Sequence, residues 1–319
     1  MIKQETWCGA AIYVLENDSF AASVIPSVGN NLFRLYDKKA GRDVLRVPEH
    51  LEALTERPVR FGIPILMPPN RIYRGTFVYK GRTYRLEINQ PATGHHIHGL
   101  VLKRPWQVVD RKQQDGVVSL TSRFHIFDFP ELAEQYPHDL TLEVTYSLSD
   151  KGLLQKITAV NRGTDPAPFG FGVHTWFRLD GQPELWTLRV PVSAIWELNE
   201  DTMPTGRLLP LGEFAALNEG LNLGGQNLDT VFQIGNAPAE AVLAKPGYSI
   251  RYAAKGPFKQ WVFYTMGEAR DYICLEPYTW VSNAPNLDLD PETTGFRALA
   301  PGETLEMEID MLITRGEPQ

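Results

Sequence analysis

Three short segments, far apart in the chain, each set a proton-handling side chain among aromatic and turn residues. They are Gly94-His95-His96-Ile97-His98-Gly99, Phe171-Gly172-Val173-His174-Thr175-Trp176-Phe177 and Cys274-Leu275-Glu276-Pro277-Tyr278-Thr279-Trp280. A fourth, Pro68-Pro69-Asn70-Arg71-Ile72, adds a guanidinium. One carboxylate (Glu276), two imidazoles (His98 and His174) and one cation (Arg71) suffice for acid–base chemistry on a neutral polyol, with no cofactor required. Aromatic rings such as Trp176 and Trp280 are surfaces on which a sugar stacks its C–H faces.

Each of these residues also has a plainer reading. His174, ringed by Phe169, Phe171, Trp176 and Phe177, fits a core histidine satisfied by backbone hydrogen bonds. Arg71 fits a surface arginine beside a turn, and Asp229 a turn-capping acid. Glu276 lies between Leu275 and Pro277, where a carboxylate is costly unless it is paired or functional. On a strand His96 and His98 share one face and His95 points to the other. Such a pair is a metal-ligand spacing, with Glu276 as a third ligand, but a cupin-like site needs a Glu soon after the pair and 99–104 contain none. We therefore expect no metal; His95 reads as structural, and His96 stays open between site and structure. Cys274 shares the strand face of Glu276 but has no evident nucleophilic partner, so it reads as packing.

The elements that must position these groups are strands. Leu140–Leu148 alternates apolar and polar residues, turns at 149–152 and resumes over 153–160, as a hairpin does. Thr76–Leu86 turns at Lys80-Gly81, and 116–124 and 305–312 alternate in the same way. Helical signals are poor: Pro48–Leu54, with proline at its start, and one turn over 131–135. The 24 prolines and 26 glycines are scattered as turn punctuation, with no linker or repeat. Many short strands without intervening helices predict an all-β chain of large antiparallel sheets packed face to face, one domain over 1–319. Trp7, Trp106, Trp186, Trp196 and Trp261 are assigned to its core.

Bulk properties narrow the function. A net charge of -7 argues against a nucleic-acid or anionic-membrane partner. Two cysteines, Cys8 and Cys274, exclude a disulfide framework and a thiolate metal cluster. The start of the chain lacks a long apolar stretch, and no later segment is long enough to span a bilayer, so the expected setting is cytoplasmic.

At these motifs the chain resembles the aldose 1-epimerase (galactose mutarotase) family. The likeness runs in order through Val24–Asn30, Pro68–Ile72 with Gly75, Gly81 and Tyr84, Ile97-His98-Gly99, His174–Phe177, Met203–Gly206, Leu228–Phe232, Leu275-Glu276-Pro277 and Pro301–Thr304. Each motif alone is weak; eight in order are not. The resemblance implies a β-supersandwich with a sugar in a cleft on one sheet. It also implies Glu276 as base, His174 as acid and His98 as a second imidazole near the anomeric hydroxyl. Arg71 and Asp229 would hold the ring, with Asn70, His96 and Trp176 lining the cleft. The implied partner is a monosaccharide, the implied cofactor none, and the chain a monomer or weak homodimer. Leu100 and Trp176 depart from the family pattern at the cleft wall, which leaves the preferred aldose open. Three alternatives remain: a hexose-6-phosphate substrate, which needs extra cations and finds only Lys103-Arg104 nearby; a non-catalytic sugar sensor; and a glycoside hydrolase using Asp229 and Glu276.

Overall fold

Alternation along the strands sorts this protein into core and site. The computed structural model describes residues 1–268 and 270–316; position 269 and the last three residues of the expected 1–319 domain lie outside the described residues. Two large antiparallel sheets form a β-supersandwich. One has nine strands, in the order Gln107–Gln114, Val117–His125, Leu140–Ser149, Gly152–Asn161, Thr304–Arg315, Tyr248–Lys255, Ala239–Lys245, Thr187–Arg189 and Leu221–Asn222. The other has eight: Pro204–Leu209, Ala194–Leu198, Asn227–Gln233, Gln260–Glu268, Tyr272–Tyr278, Gly172–Val173 and Ile65–Leu66 in order, with Thr175–Arg178 also paired to Tyr272–Tyr278. A five-stranded sheet spans Ile2–Asp43.

The long hairpin expected at 140–160 forms from Leu140–Ser149 and Gly152–Asn161. The short one forms from Thr76–Tyr79 and Arg82–Arg85, with Lys80 and Gly81 both at positive φ (48° and 78°), the twist that suits a two-residue hairpin loop. The first helix starts later than proline suggests. It covers Leu51–Glu56, because His50 is still extended and Leu54 is the side chain the helix buries. The second is Pro130–Gln135.

Between the two large sheets lie Phe177, Thr175, Trp261, Phe263, Ile273 and Leu275 from one side and Tyr252 from the other, all buried. Tyr252 and Thr175 share a hydroxyl hydrogen bond of 2.7 Å across the layers, and Phe177 meets the Tyr252 ring edge-on at 5.1 Å. Each apolar side chain such as Phe177, Phe263, Ile273 or Leu275 contributes roughly 1.5–3 kcal/mol by leaving water. Their strand neighbours, one residue on, face the opposite way. That second face carries the chemistry.

Candidate active site

Register alone builds the site. Gly172 pairs with Tyr278 and Thr175 with Leu275, so the same register, carried across the break between these two strands, sets His174 opposite Glu276. Trp176 pairs with Cys274, Cys274 with Tyr264 and Tyr264 with Asp229. Directly opposed residues in antiparallel sheets share a face. Asp229, Tyr264, Cys274 and Trp176 therefore form one row, and Val231, Val262, Glu276 and His174 the next. At His174 the ladder is interrupted, and its N–H donates instead to the Pro64 carbonyl at 3.0 Å.

Glu276 and His174 are 2% and 6% exposed. His174 Nε2 lies 3.3 Å from Glu276 Oε1, and Nδ1 lies 2.8 Å from Cys274 Sγ. The second Glu276 oxygen accepts a hydrogen bond from the Tyr278 hydroxyl. Gly172 makes room for that ring: a Cβ there would stand 2.3 Å from it. Burial pushes the Glu276 carboxyl up to about 8, although the Tyr278 and Cys274 hydrogen bonds favour its ionised form. Burial also drives His174 down to about 3. Between those limits the pair holds a single proton, which belongs to both groups together.

His98 approaches from a different element, edge-on to His174 with ring centroids 5.2 Å apart. It does not share a face with His96. The strand His96–Ile97 ends before it, and His98 is left-handed at φ 62°, so the period of two is lost. His98 N–H donates to the carbonyl of Asn70, itself at φ 54°, at 2.8 Å. Left-handed backbone at residues other than glycine costs of order 1–3 kcal/mol and collects at functional sites. Gly99, at φ 80°, passes so close to Met67 that a Cβ would lie 2.2 Å from its carbonyl oxygen. Burial, then the neighbouring His174 and Arg71, hold His98 neutral, and its Nδ1 is buried with no protein partner.

Arg71 is half-buried, not a free surface side chain. Its Nε donates to Gln90 Oε1 at 3.1 Å and its Nη1 to Asn70 Oδ1 at 3.3 Å. Gln90 escaped the sequence reading, since nothing in 82–94 marks it. Asp229 caps no turn; it lies exposed on the strand Asn227–Gln233 and, after burial, Arg71 is the main influence on its ionisation.

Several expectations are corrected. His96 is wholly buried, with Nδ1 2.9 Å from the Glu87 carbonyl, so it stands behind the site. Trp176 is 1% exposed, its indole N–H tied to the Val59 carbonyl at 2.7 Å and its face covered by Arg46, which also sits over Phe61 and Tyr272. Trp280 is core, stacked on Phe296. Trp7, read as core, is only partly buried and packs on Phe33 against a small second core cluster. Cys274 is not mere packing, since it touches His174. Tyr278 was also missed, although the strand period that joins Cys274 to Glu276 extends to it.

The nitrogen, sulfur and oxygen of His174, Cys274 and Glu276 lie within 4.8 Å of one another, close enough to ask whether they hold a metal ion. His174, however, spends opposite ring nitrogens on the other two, and one ion can take only one of them. The trio suits a hydrogen-bonded network better. Beside His98 opens a cleft of about 550 Å³ lined by Arg57, Arg60, Lys103 and Arg104 among others, with Glu56 and Glu87 opposing them. The cation pair at 103–104 is thus joined by two arginines from the segment that follows the first helix. A larger groove of about 770 Å³ has no histidine in its lining, and its Glu16 is paired with Lys3 and Lys38.

A β-supersandwich with a buried carboxylate–imidazole pair on one sheet, approached by a second imidazole and an arginine, defines a protein of the mutarotase-like class. The family described as Aldose 1-epimerase matches residues 11–311, and the chain belongs to it. The uncharacterized protein YihR of Escherichia coli K12 is 27% identical over 241 residues, 74% of this chain and 75% of that one. Galactose mutarotase of Rattus norvegicus is 30% identical over 181 residues, 54% of this chain and 49% of that one. Among solved structures, a galactose mutarotase-like protein from Clostridium acetobutylicum superposes with a TM-score of 0.93 at 26% identity, covering 99% of this chain and 98% of its own. Among the described residues no helix is long and apolar enough to cross a membrane.

Proposed function

We propose that this protein is an aldose 1-epimerase, interconverting the α and β anomers of a monosaccharide by opening and reclosing the hemiacetal. The observation that carries this reading is the 3.3 Å pairing of Glu276 with His174, two buried groups that burial shifts in opposite directions. With one proton between them, the pair has two forms: protonated Glu276 beside neutral His174, and the carboxylate beside the imidazolium. In the second form Glu276 takes the proton of the C1 hydroxyl while His174 Nε2 protonates the ring oxygen. The C1–O5 bond breaks, C1 becomes an aldehyde, and the pair is left in the first form. Rotation about C1–C2 and closure on the other carbonyl face return both protons to their origins. No net proton is drawn from solvent.

The remaining residues support roles in holding the ring. The unpartnered Nδ1 of His98 suits a sugar hydroxyl, since buried polar atoms are rarely left unbonded. Arg71, clamped by Gln90 and Asn70, presents a guanidinium fork, and exposed Asp229 accepts from hydroxyls at the open end of the row. The cations of the cleft beside His98 favour a second reading, in which the aldose carries an anionic group such as a 6-phosphate. Polarimetry on freshly dissolved glucose and glucose 6-phosphate tests both. Acceleration of either drift in rotation supports epimerase activity, and acceleration of neither across a panel of free and phosphorylated aldoses contradicts it. A preference for the phosphorylated sugar that disappears in Arg60→Ala supports the anionic substrate.

A further inference from the structure

The hydrogen bonding of His174 is divided between two edges of its ring. Nε2 faces Glu276 Oε1 at 3.3 Å and Nδ1 faces Cys274 Sγ at 2.8 Å, and all three side chains are buried. An acid that gives and regains a proton at Nε2 must keep its other proton at Nδ1, or the ring presents the wrong tautomer. In many sites that proton is held by a carboxylate or backbone carbonyl. Here, among the described residues, the atom in that position is a sulfur.

We infer that Cys274 is a positioning residue, its sulfur accepting the Nδ1–H of His174 and so holding Nε2 toward Glu276 and the sugar ring. This rests on the epimerase reading for its consequence in turnover, but not for the tautomer itself. Three features favour the direction of the bond. Burial holds the thiol well above its ordinary pKa, so it stays S–H and carries no charge to trap the imidazolium. A thiol sulfur is a weak acceptor, enough to orient a ring without making it a poor acid. The Glu276 carboxyl lies within 4.8 Å of the sulfur and draws the thiol hydrogen away from His174. Glu276 is braced by Tyr278, and among the described residues Cys274 is the side chain that holds Nδ1 of His174.

The test separates orientation from packing. Nitrogen-15 NMR of the histidine-labelled wild-type protein should show His174 as the Nδ1–H tautomer, independent of any turnover. In Cys274→Ala that signal should shift toward the Nε2–H tautomer or average between the two. The kcat for anomer exchange should fall roughly ten- to a hundred-fold, a part of the ~10²–10⁴-fold that positioned acid–base catalysis supplies, with KM little changed. Cys274→Ser, which keeps an acceptor, should restore the tautomer and most of kcat. A wild-type Nε2–H tautomer overturns the inference whether or not the protein is an epimerase. So does a Cys274→Ala protein that is folded and retains both the tautomer and full kcat.

Discussion

Replacing Glu276 by glutamine removes the proposed base and almost nothing else, because the two side chains have nearly the same shape. General acid–base catalysis by one positioned group contributes about 10²–10⁴-fold, or about 3–5 kcal/mol of barrier. Glu276→Gln should therefore slow anomer exchange by at least two orders of magnitude. Sugar affinity should survive, since Arg71, Asp229 and His98 remain. The same substitution should change stability in a defined direction. An unfolded glutamate ionises near 4.5, whereas burial holds the folded one protonated up to about 8. The native state therefore binds the extra proton between those values. The contribution of Glu276 to stability is fully present below about 4.5, is lost progressively as pH rises through this window, and is flat above it. The loss is at most about 5 kcal/mol for a shift of this size. Glutamine does not ionise, so Glu276→Gln should melt higher than wild type above pH 8 and show a weaker pH dependence between about 6.5 and 8, where His174 is neutral in both folded and unfolded states. Polarimetry, calorimetric sugar titration and thermal melts from pH 5 to 9 measure all three. Full activity in a folded Glu276→Gln protein would refute the acid–base assignment, and a lower melting temperature at pH 9 would refute the burial argument.

The wild-type kcat/KM should stay level through neutral pH and fall as pH rises past about 8, where the Glu276–His174 pair loses its one proton; a stopped polarimetric series reads the profile, and a steady rise through pH 9 contradicts it. Arg71→Lys keeps the charge but loses the fork held by Gln90 and Asn70, so KM should rise about tenfold or more while kcat changes less. Gly99→Ala places a methyl 2.2 Å from the Met67 carbonyl oxygen at φ 80°, so circular dichroism should show a loss of several degrees in Tm or failure to fold.

The sheets were legible because their strands alternate, and the long hairpin at 140–161 needed no other information. Glu276, His174 and His98, which the fold brings together, each sit in a distinctive motif of the sequence. What sequence did not reveal was register. Cys274 looked like filler until strand pairing brought His174 opposite Glu276 and the imidazole edge against the thiol. The period of two places His96 and His98 on one face, and a single left-handed residue ends it. Trp176 and Trp280 read as open platforms because aromatic content marks cores and sugar sites alike; Arg46 and Phe296, distant in sequence, cover them. Gln90 and the cations at 57 and 60 were invisible for the same reason, since their partners lie on other elements.

The central claim is that one pyranose spans Glu276 and His174 on the second face of the eight-stranded sheet. A crystal structure of Glu276→Gln with a slowly exchanging aldose bound measures it directly. The expected result puts the C1 oxygen within about 2.6–3.2 Å of the residue 276 side chain and the ring oxygen within that distance of His174 Nε2. A sugar bound in the groove near Glu16 and Lys38, or in the 550 Å³ cleft with neither oxygen near this pair, would contradict the account.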